Sequence, residues 1–183
     1  MRAGDGGSAA TQAGRRYAAR VKVLLVVYHS RTSGSEQMAK AAAEGAASEP
    51  AVRTRLLRAA DAGPSDLLEA AGYIFAAPEN LAALAGVMKD FFDRTYYPAL
   101  GRIEGRPYAA LICAGSDGTS ALRQLDRIAT GWRLKPVAPG RIVCTHAQTP
   151  EAILARKVIA PEELAHCRET GAALASGLAL GVF

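Results

Sequence analysis

The sequence predicts an α/β chain built on a doubly wound parallel sheet, and three features predict it. Continuous apolar runs of strand length recur at VKVLLVVY (21–28), YIFAAP (73–78) and RPYAALICAG (106–115). A strand reads as uninterrupted hydrophobe only when both faces of its sheet are covered. Segments of helical composition separate these runs, the alternation expected of βαβ units. The loops that follow them are rich in Gly, Ser, Thr and Pro and lie where such sheets bind ligands, at the carboxyl ends of strands.

Residues 1–20, MRAGDGGSAATQAGRRYAAR, are Gly, Ala and Arg with few large apolar side chains, and they read as a loose basic tail. A mitochondrial-type presequence or an over-called start has the same composition. No apolar core of a secretory signal follows the basic start. The domain proper is read as 21–183. SEQMAKAAAEGAAS (35–48) is a helix by propensity, with Ser33 or Ser35 as its cap. VRTRLL (52–57) alternates as an edge strand does. PSDLLEAAG (64–72) is a short helix stopped by Gly72. LAGVMKDFFDRTYY (84–97) puts Leu84, Val87, Met88, Phe91 and Phe92 on one apolar face. SALRQLDRIATGW (120–132) is amphipathic, RIVCTHA (141–147) is the fifth strand, and 160–180 is a closing helix with Pro161 in its first turn.

Composition narrows the function. Half of the 183 residues are apolar, enough for a sizeable core. The net charge of +5 is concentrated in the tail, where Arg2, Arg15, Arg16 and Arg20 face Asp5 and leave +3, so the remainder carries only +2. Neither a basic stripe nor interleaved aromatics accompany it, and nucleic acid is set aside. No run reaches the roughly 18–20 apolar residues of a membrane span. Cys113, Cys144 and Cys167 form no disulfide framework and no C-x-x-C pair, which fits a reducing, cytoplasmic setting. Cys144 and His146 stand two apart without a second ligand pair, so no metal is expected.

Three strand-end loops carry the chemistry. The first, His29-Ser30-Arg31-Thr32-Ser33-Gly34-Ser35, opens a helix whose free N–H groups and dipole favour an anion. It has neither the lysine-bearing loop of triphosphatases nor a G-x-G-x-x-G turn, which selects a monophosphate. The second loop runs from Pro78 through Glu79, Asn80 and Leu81 to Gly86; Asn80 offers a donor and an acceptor to a heterocycle edge. The third is Ala114-Gly115-Ser116-Asp117-Gly118-Thr119. A Ser116 nucleophile elbow is its rival reading, with Ala114 where the elbow has Gly and Asp126 and His146 as partners.

The first loop resembles the [ST]-x-T-G-x-[ST] phosphate turn of the flavodoxin-like family at Ser30, Thr32 and Ser35, with Ser33 in place of Gly and Gly34 one position later. The second is similar to the P-x-x-x-x-x-x-G-x-[ML]-K-x-F-x-D segment of the FMN and quinone reductases in that family, at Pro78, Gly86, Met88, Lys89, Phe91 and Asp93. This resemblance, which spans nearly all of 21–183, implies five parallel strands in the order 2-1-3-4-5 with helices on both faces. It implies FMN held by the three loops, and dimers or tetramers. Loops two and three lack Trp and Tyr, and the chain is basic where carrier flavodoxins are acidic, which favours an NAD(P)H-dependent reductase of quinones over an electron carrier without turnover. His146 is the candidate proton donor to the acceptor. Arg31, Arg102 and Arg106 are candidates to select NADPH through its 2′-phosphate.

Overall fold

The computed structural model describes residues 21–183, so the tail reading for 1–20 lies outside the described residues. The strands are β1 (Lys22–Tyr28), β2 (Val52–Arg58), β3 (Gly72–Asn80), β4 (Ala83–Leu84), β5 (Pro107–Ala114), β6 (Lys135–Pro136) and β7 (Arg141–Cys144). The helices are α1 (Gly34–Ala46), α2 (Pro64–Glu69), α3 (Gly86–Ala99), α4 (Thr119–Gly131), α5 (Pro150–Leu154) and α6 (Pro161–Leu180). The sheet runs β2-β1-β3-β5-β6, with β7 also on β5 and β4 folded back on β3. All pairings are parallel except the β3–β4 hairpin. Counting β6 and β7 as one interrupted strand gives the expected 2-1-3-4-5 order.

Alternation explains the continuous apolar runs. Val23, Leu25 and Val27 of β1 and Tyr73 and Phe75 of β3 enter one core with Met88, Phe91, Phe92, Leu125 and Trp132. Leu24, Val26 and Ile74 enter the other with Met38, Leu174 and Leu178. Strands β1 and β3 therefore each feed two layers.

Helices α1 and α6 cover the second face and cross closely. A Cβ on Gly45 would stand 2.0 Å from the Arg168 carbonyl oxygen, and one on Gly171 would stand 1.9 Å from that of Ala42. Backbone meets backbone there, and only glycine allows it.

Several boundaries differ from the sequence reading. Helix α2 ends at Glu69, and Gly72 opens β3, where a Cβ would lie 3.1–3.2 Å from Leu174, Pro107 and Leu178. Helix α1 stops at Ala46, and the Ser48 hydroxyl donates to the Gly45 carbonyl at 2.7 Å. Leu84 pairs in β4, so α3 begins at Gly86, and Val87 turns outward at 39 % exposure. The hairpin turn is Leu81-Ala82, both at positive φ (52° and 55°), the mirror-image turn usually made by Asn-Gly. The fifth strand breaks at Val137–Gly140 around Pro139, and the expected 141–147 strand ends at Cys144. Helix α5 falls in a stretch to which the sequence assigned no element.

Neither Ser33 nor Ser35 caps α1. Ser33 instead occupies a left-handed conformation at φ 66°, the turn that the glycine of the family pattern would adopt without strain.

Two substitutions check these points. Gly171→Ala should lower stability in urea melts by about 1–3 kcal/mol, because overpacking against Ala42 outweighs the roughly 1 kcal/mol gained in helix propensity. A more stable variant would refute the backbone crossing. Ser33→Gly should raise stability by about 0.5–1 kcal/mol, the relieved left-handed strain less the added freedom of the unfolded chain.

Candidate functional site

Parallel registers bring the ends of β1, β3, β5 and β7 to one edge: Tyr28 lies opposite Ala76, Pro78 opposite Cys113, and Ala114 opposite Cys144. The His29 N–H donates to the Ala76 carbonyl at 3.0 Å and extends that edge by one residue. Loop one then turns into α1 at Gly34. The first N–H groups of α1 have no intrahelical acceptor by the geometry of a helix start. The Ser35 hydroxyl, in that first turn, is 1 % exposed and has no hydrogen-bond partner. An unpartnered buried hydroxyl costs about 1–3 kcal/mol; the other one among the described residues, Thr54, lies in β2 away from the loops.

The surroundings are cationic. Burial first, then Arg31 and Arg58, hold the His29 imidazole below the ordinary histidine range, so it is neutral at pH 7. Glu36, in the same helical turn, is bonded to Lys40 at 2.7 Å, and that bond together with Lys40, Arg58 and Arg156 lowers its pKa against a smaller opposing effect of desolvation. Arg31 is exposed, and Ser30 and Thr32 are half-buried.

Loops two and three are tied together. The Glu79 carboxylate accepts from the Gly118 N–H at 2.9 Å and the Ala121 N–H at 3.3 Å, capping α4 from across the cleft. The Gln124 side chain accepts from the Leu84 N–H at 3.0 Å. Gly118 has φ 84°, and a Cβ there would lie 2.5 Å from Ile142 Cγ2. Ser116 and Asp117 are exposed, and their carbonyls accept from the Cys144 thiol at 3.4 and 3.6 Å. Leu81, at the hairpin tip, is fully exposed.

These loops enclose a cavity of about 80 Å³. Thr32, Pro78, Glu79, Asn80, Ala114 and Gly115 of the three loops meet there. Cys113, Thr145, Ala147, Ile153 and Lys157 join them unforeseen. Cys113 read as core: its thiol is buried and pushed up to about 11 by that burial, so it is no nucleophile at neutral pH. Lys157 comes from the unassigned stretch before α6, where no periodicity pointed to it.

Other candidates lie elsewhere. His146, exposed and at φ 54°, lines an adjoining groove of about 520 Å³ with Arg156, Glu162 and Glu163, which shares Thr145 and Lys157 with the loop cavity. Arg106 precedes β5 and sits at the opposite end of the sheet. Its guanidinium donates to the carbonyls of Leu67 (2.9 Å), Leu68 (3.1 Å) and Ala70 and to the Tyr73 hydroxyl (3.0 Å), so it is not available to a nucleotide. Arg102 lies beside it, with the Arg106 side chain bonded to its carbonyl at 3.2 Å. Asp126 accepts from the Tyr108 hydroxyl at 3.0 Å, which removes it from a triad with Ser116. Tyr96 stacks on Trp132, away from the loops. Among the described residues, no three His, Cys, Asp or Glu side chains come together to hold a metal ion, and no helix is long and apolar enough to cross a membrane.

No family model matches the chain. A flavodoxin of Aquifex aeolicus is 34% identical over 95 residues, 52% of this chain and 51% of that protein. An NAD(P)H dehydrogenase (quinone) of Acidithiobacillus ferrooxidans is 34% identical over 92 residues, 39% of this chain and 46% of that protein. The chain thus spans about half the length of the curated relatives it matches. An archaeal flavodoxin structure superposes with a TM-score of 0.71 at 19% identity, over 85% of this chain and 98% of that one. A WrbA-like flavodoxin structure from Agrobacterium tumefaciens gives 0.65 at 19% identity, over 87% and 98%. With the strand order, the position of the hydroxyl-rich turn and these matches in agreement, the chain has the flavodoxin-like fold.

Proposed function

We propose that the chain is an FMN-binding oxidoreductase that takes electrons from NAD(P)H and passes them to a quinone or similar acceptor. The observation that carries the reading is the buried, unpartnered Ser35 hydroxyl in the first turn of α1, behind a loop of hydroxyls. A phosphate fits that chemistry: the hydroxyls of Ser30, Thr32 and Ser35 and the first amides of α1 are donors, and Arg31, Arg58 and Arg156 supply positive potential nearby. The ring end is built differently. Pro78, Gly115 and Ala114 are small or rigid and allow close approach of backbone, and Asn80 stands at the edge of the same cavity with both amide functions.

Bound FMN would supply two-electron chemistry between a nicotinamide and a quinone. The chain's own part is orientation and exclusion of water. Glu79, Gly118 and Ala121 clamp loops two and three into one wall, so a ring placed against them keeps a fixed attitude. Loops two and three carry no aromatic side chain to cover the ring, which leaves a face for a nicotinamide or quinone. The remaining loop residues of the reading, Ser33, Gly34, Glu79, Leu81, Ser116, Asp117 and Gly118, serve as turn and wall. His146 stays a proposed proton donor from its neighbouring groove. A homodimer or homotetramer in the cytoplasm belongs to the same reading.

A flavodoxin-type carrier uses the same pocket, and the Aquifex aeolicus relative favours it as the second reading. Turnover separates the two. Purified protein mixed with FMN should quench flavin fluorescence, and a stirred mixture with a quinone should consume NADH or NADPH continuously. FMN binding without such consumption selects the carrier, and absence of FMN binding refutes both.

Ser35→Ala should move two quantities in opposite directions. Removal of the unpartnered hydroxyl should raise the stability of the free protein by up to about 1 kcal/mol in urea melts. FMN affinity should fall by about tenfold or more, the loss of one charge-assisted hydrogen bond. An unchanged Kd would put the phosphate elsewhere.

A further inference from the structure

The cavity at the loops is about 80 Å³, well below the roughly 300–1,000 Å³ of pockets that bury a molecule of this size. What reduces it is the chain between β7 and α6, which brings Ala147, Ile153 and Lys157 over Thr32 and Gly115. This segment is fastened at its two ends. At one, the Thr145 N–H and hydroxyl donate to the Ala114 carbonyl at 2.8 and 3.1 Å. At the other, the Lys157 N–H donates to the Thr32 carbonyl at 2.7 Å. The Gln37 side chain donates to the carbonyls of Ser33 (3.0 Å) and Lys157 (2.8 Å) and accepts from the Ile159 N–H at 3.3 Å. Between the ends little holds it: no residue of α5 is buried, and Ile153 and Leu154 are 50 % and 71 % exposed. A segment with so few buried apolar contacts opens at low free-energy cost.

One group holds α5 in place. The Lys157 ammonium donates to the carbonyls of Ala152, Ile153 and Ala155 at 2.6, 2.8 and 2.7 Å, closing the carboxyl end of α5. The stem of the same residue lies against the start of α1: a Cβ on Gly34 would stand 3.6 Å from Lys157 Cβ. The ammonium thus belongs to a side chain rooted at loop one.

We propose that Lys157 is a phosphate ligand held in reserve: in the free chain its ammonium caps the end of α5 beside the cleft, and a phosphate monoester at the start of α1 draws it away, releasing α5 so that the attached ring enters. The inference rests on the FMN reading and adds to it a residue and a trigger. It also gives the site a preference for phosphorylated over unphosphorylated flavin, because only the former releases the latch.

Hydrogen exchange and two flavins test it. In the wild-type protein, saturating FMN should raise amide exchange at residues 152–155 by about tenfold, the mark of a local opening equilibrium displaced. Lys157→Met keeps the stem and removes the charge. It should weaken FMN by about tenfold, through loss of a charge-assisted contact, and tighten riboflavin, which has no phosphate and gains from an unlatched α5. Opposite signs for the two flavins support the latch, as does FMN binding with faster exchange in the wild type. FMN binding with unchanged or slower exchange at 152–155, or equal effects of the variant on both flavins, overturns the latch and leaves the FMN reading standing. Binding of neither flavin by either protein removes the FMN reading and the latch with it.

Discussion

Gly45 and Gly171 let α1 and α6 meet backbone to backbone, and the placement of loop one follows from that contact. Helix α1 cannot slide along its axis without driving the Ala42 or Arg168 carbonyl into a neighbour. Its first turn is therefore held at the carboxyl edge of β1 and β3, with its unpaired N–H groups at the cleft. A larger residue at either glycine would separate the helices and tilt α1. The anion-favouring end of the helix would then leave the strand ends that complete the site. Helix packing on one face of the sheet, rather than any feature of the loop, decides where the charge-binding end of the cleft lies.

Floor and roof of the cleft are held by different forces. The floor consists of loops two and three, joined by the Glu79 carboxylate to amides of Gly118 and Ala121 and backed by the aromatic core of Phe75, Phe91, Phe92 and Trp132. Apolar burial behind these loops is extensive and non-directional, so their strand-end roots are held by the core. The roof, α5, has no buried residue and rests largely on hydrogen bonds, and each of these contributes little net stability because water offers replacements. A cleft with a rigid wall and a polar-bonded cover can change volume without disturbing the core.

Much of this was legible in the sequence because burial on both faces leaves strands no choice of composition. VKVLLVVY, YIFAAP and YAALICA are strands in the structure for the reason that made them stand out. The β3–β4 hairpin was not legible, because Leu81-Ala82 makes its turn without Asn or Gly, and the strain is met by pairing of Glu79 with Leu84 and by Gln124. The break between β6 and β7 carried a signal in Pro136 and Pro139 that strand length alone concealed. Arg102 and Arg106 were misplaced for a geometric reason open to sequence reasoning. Residues before a parallel strand lie at the end of the sheet opposite those that follow it, so neither could reach the loops. The five residues of α5 show too little periodicity to declare a helix, and the approach of Lys157 to Gly34 joins positions that only the tertiary fold brings together.

Charge and size divide the cleft along its length. At the α1 end, Glu36 is engaged by Lys40, and the arginines at 31, 58 and 156 set the local potential. At the far end, the Glu79 carboxylate is occupied by amides of α4, leaving small residues, a proline and the neutral amide of Asn80. A ligand that matches both ends is dianionic at one and flat and neutral at the other. A dinucleotide presents its pyrophosphate in the middle, where this cleft has no arginine, and a triphosphate presents more charge than the first turn of one helix can meet. The gradient of potential, read together with the hydroxyl left without an acceptor at Ser35, is what the proposed phosphorylated mononucleotide would match and larger nucleotides would not.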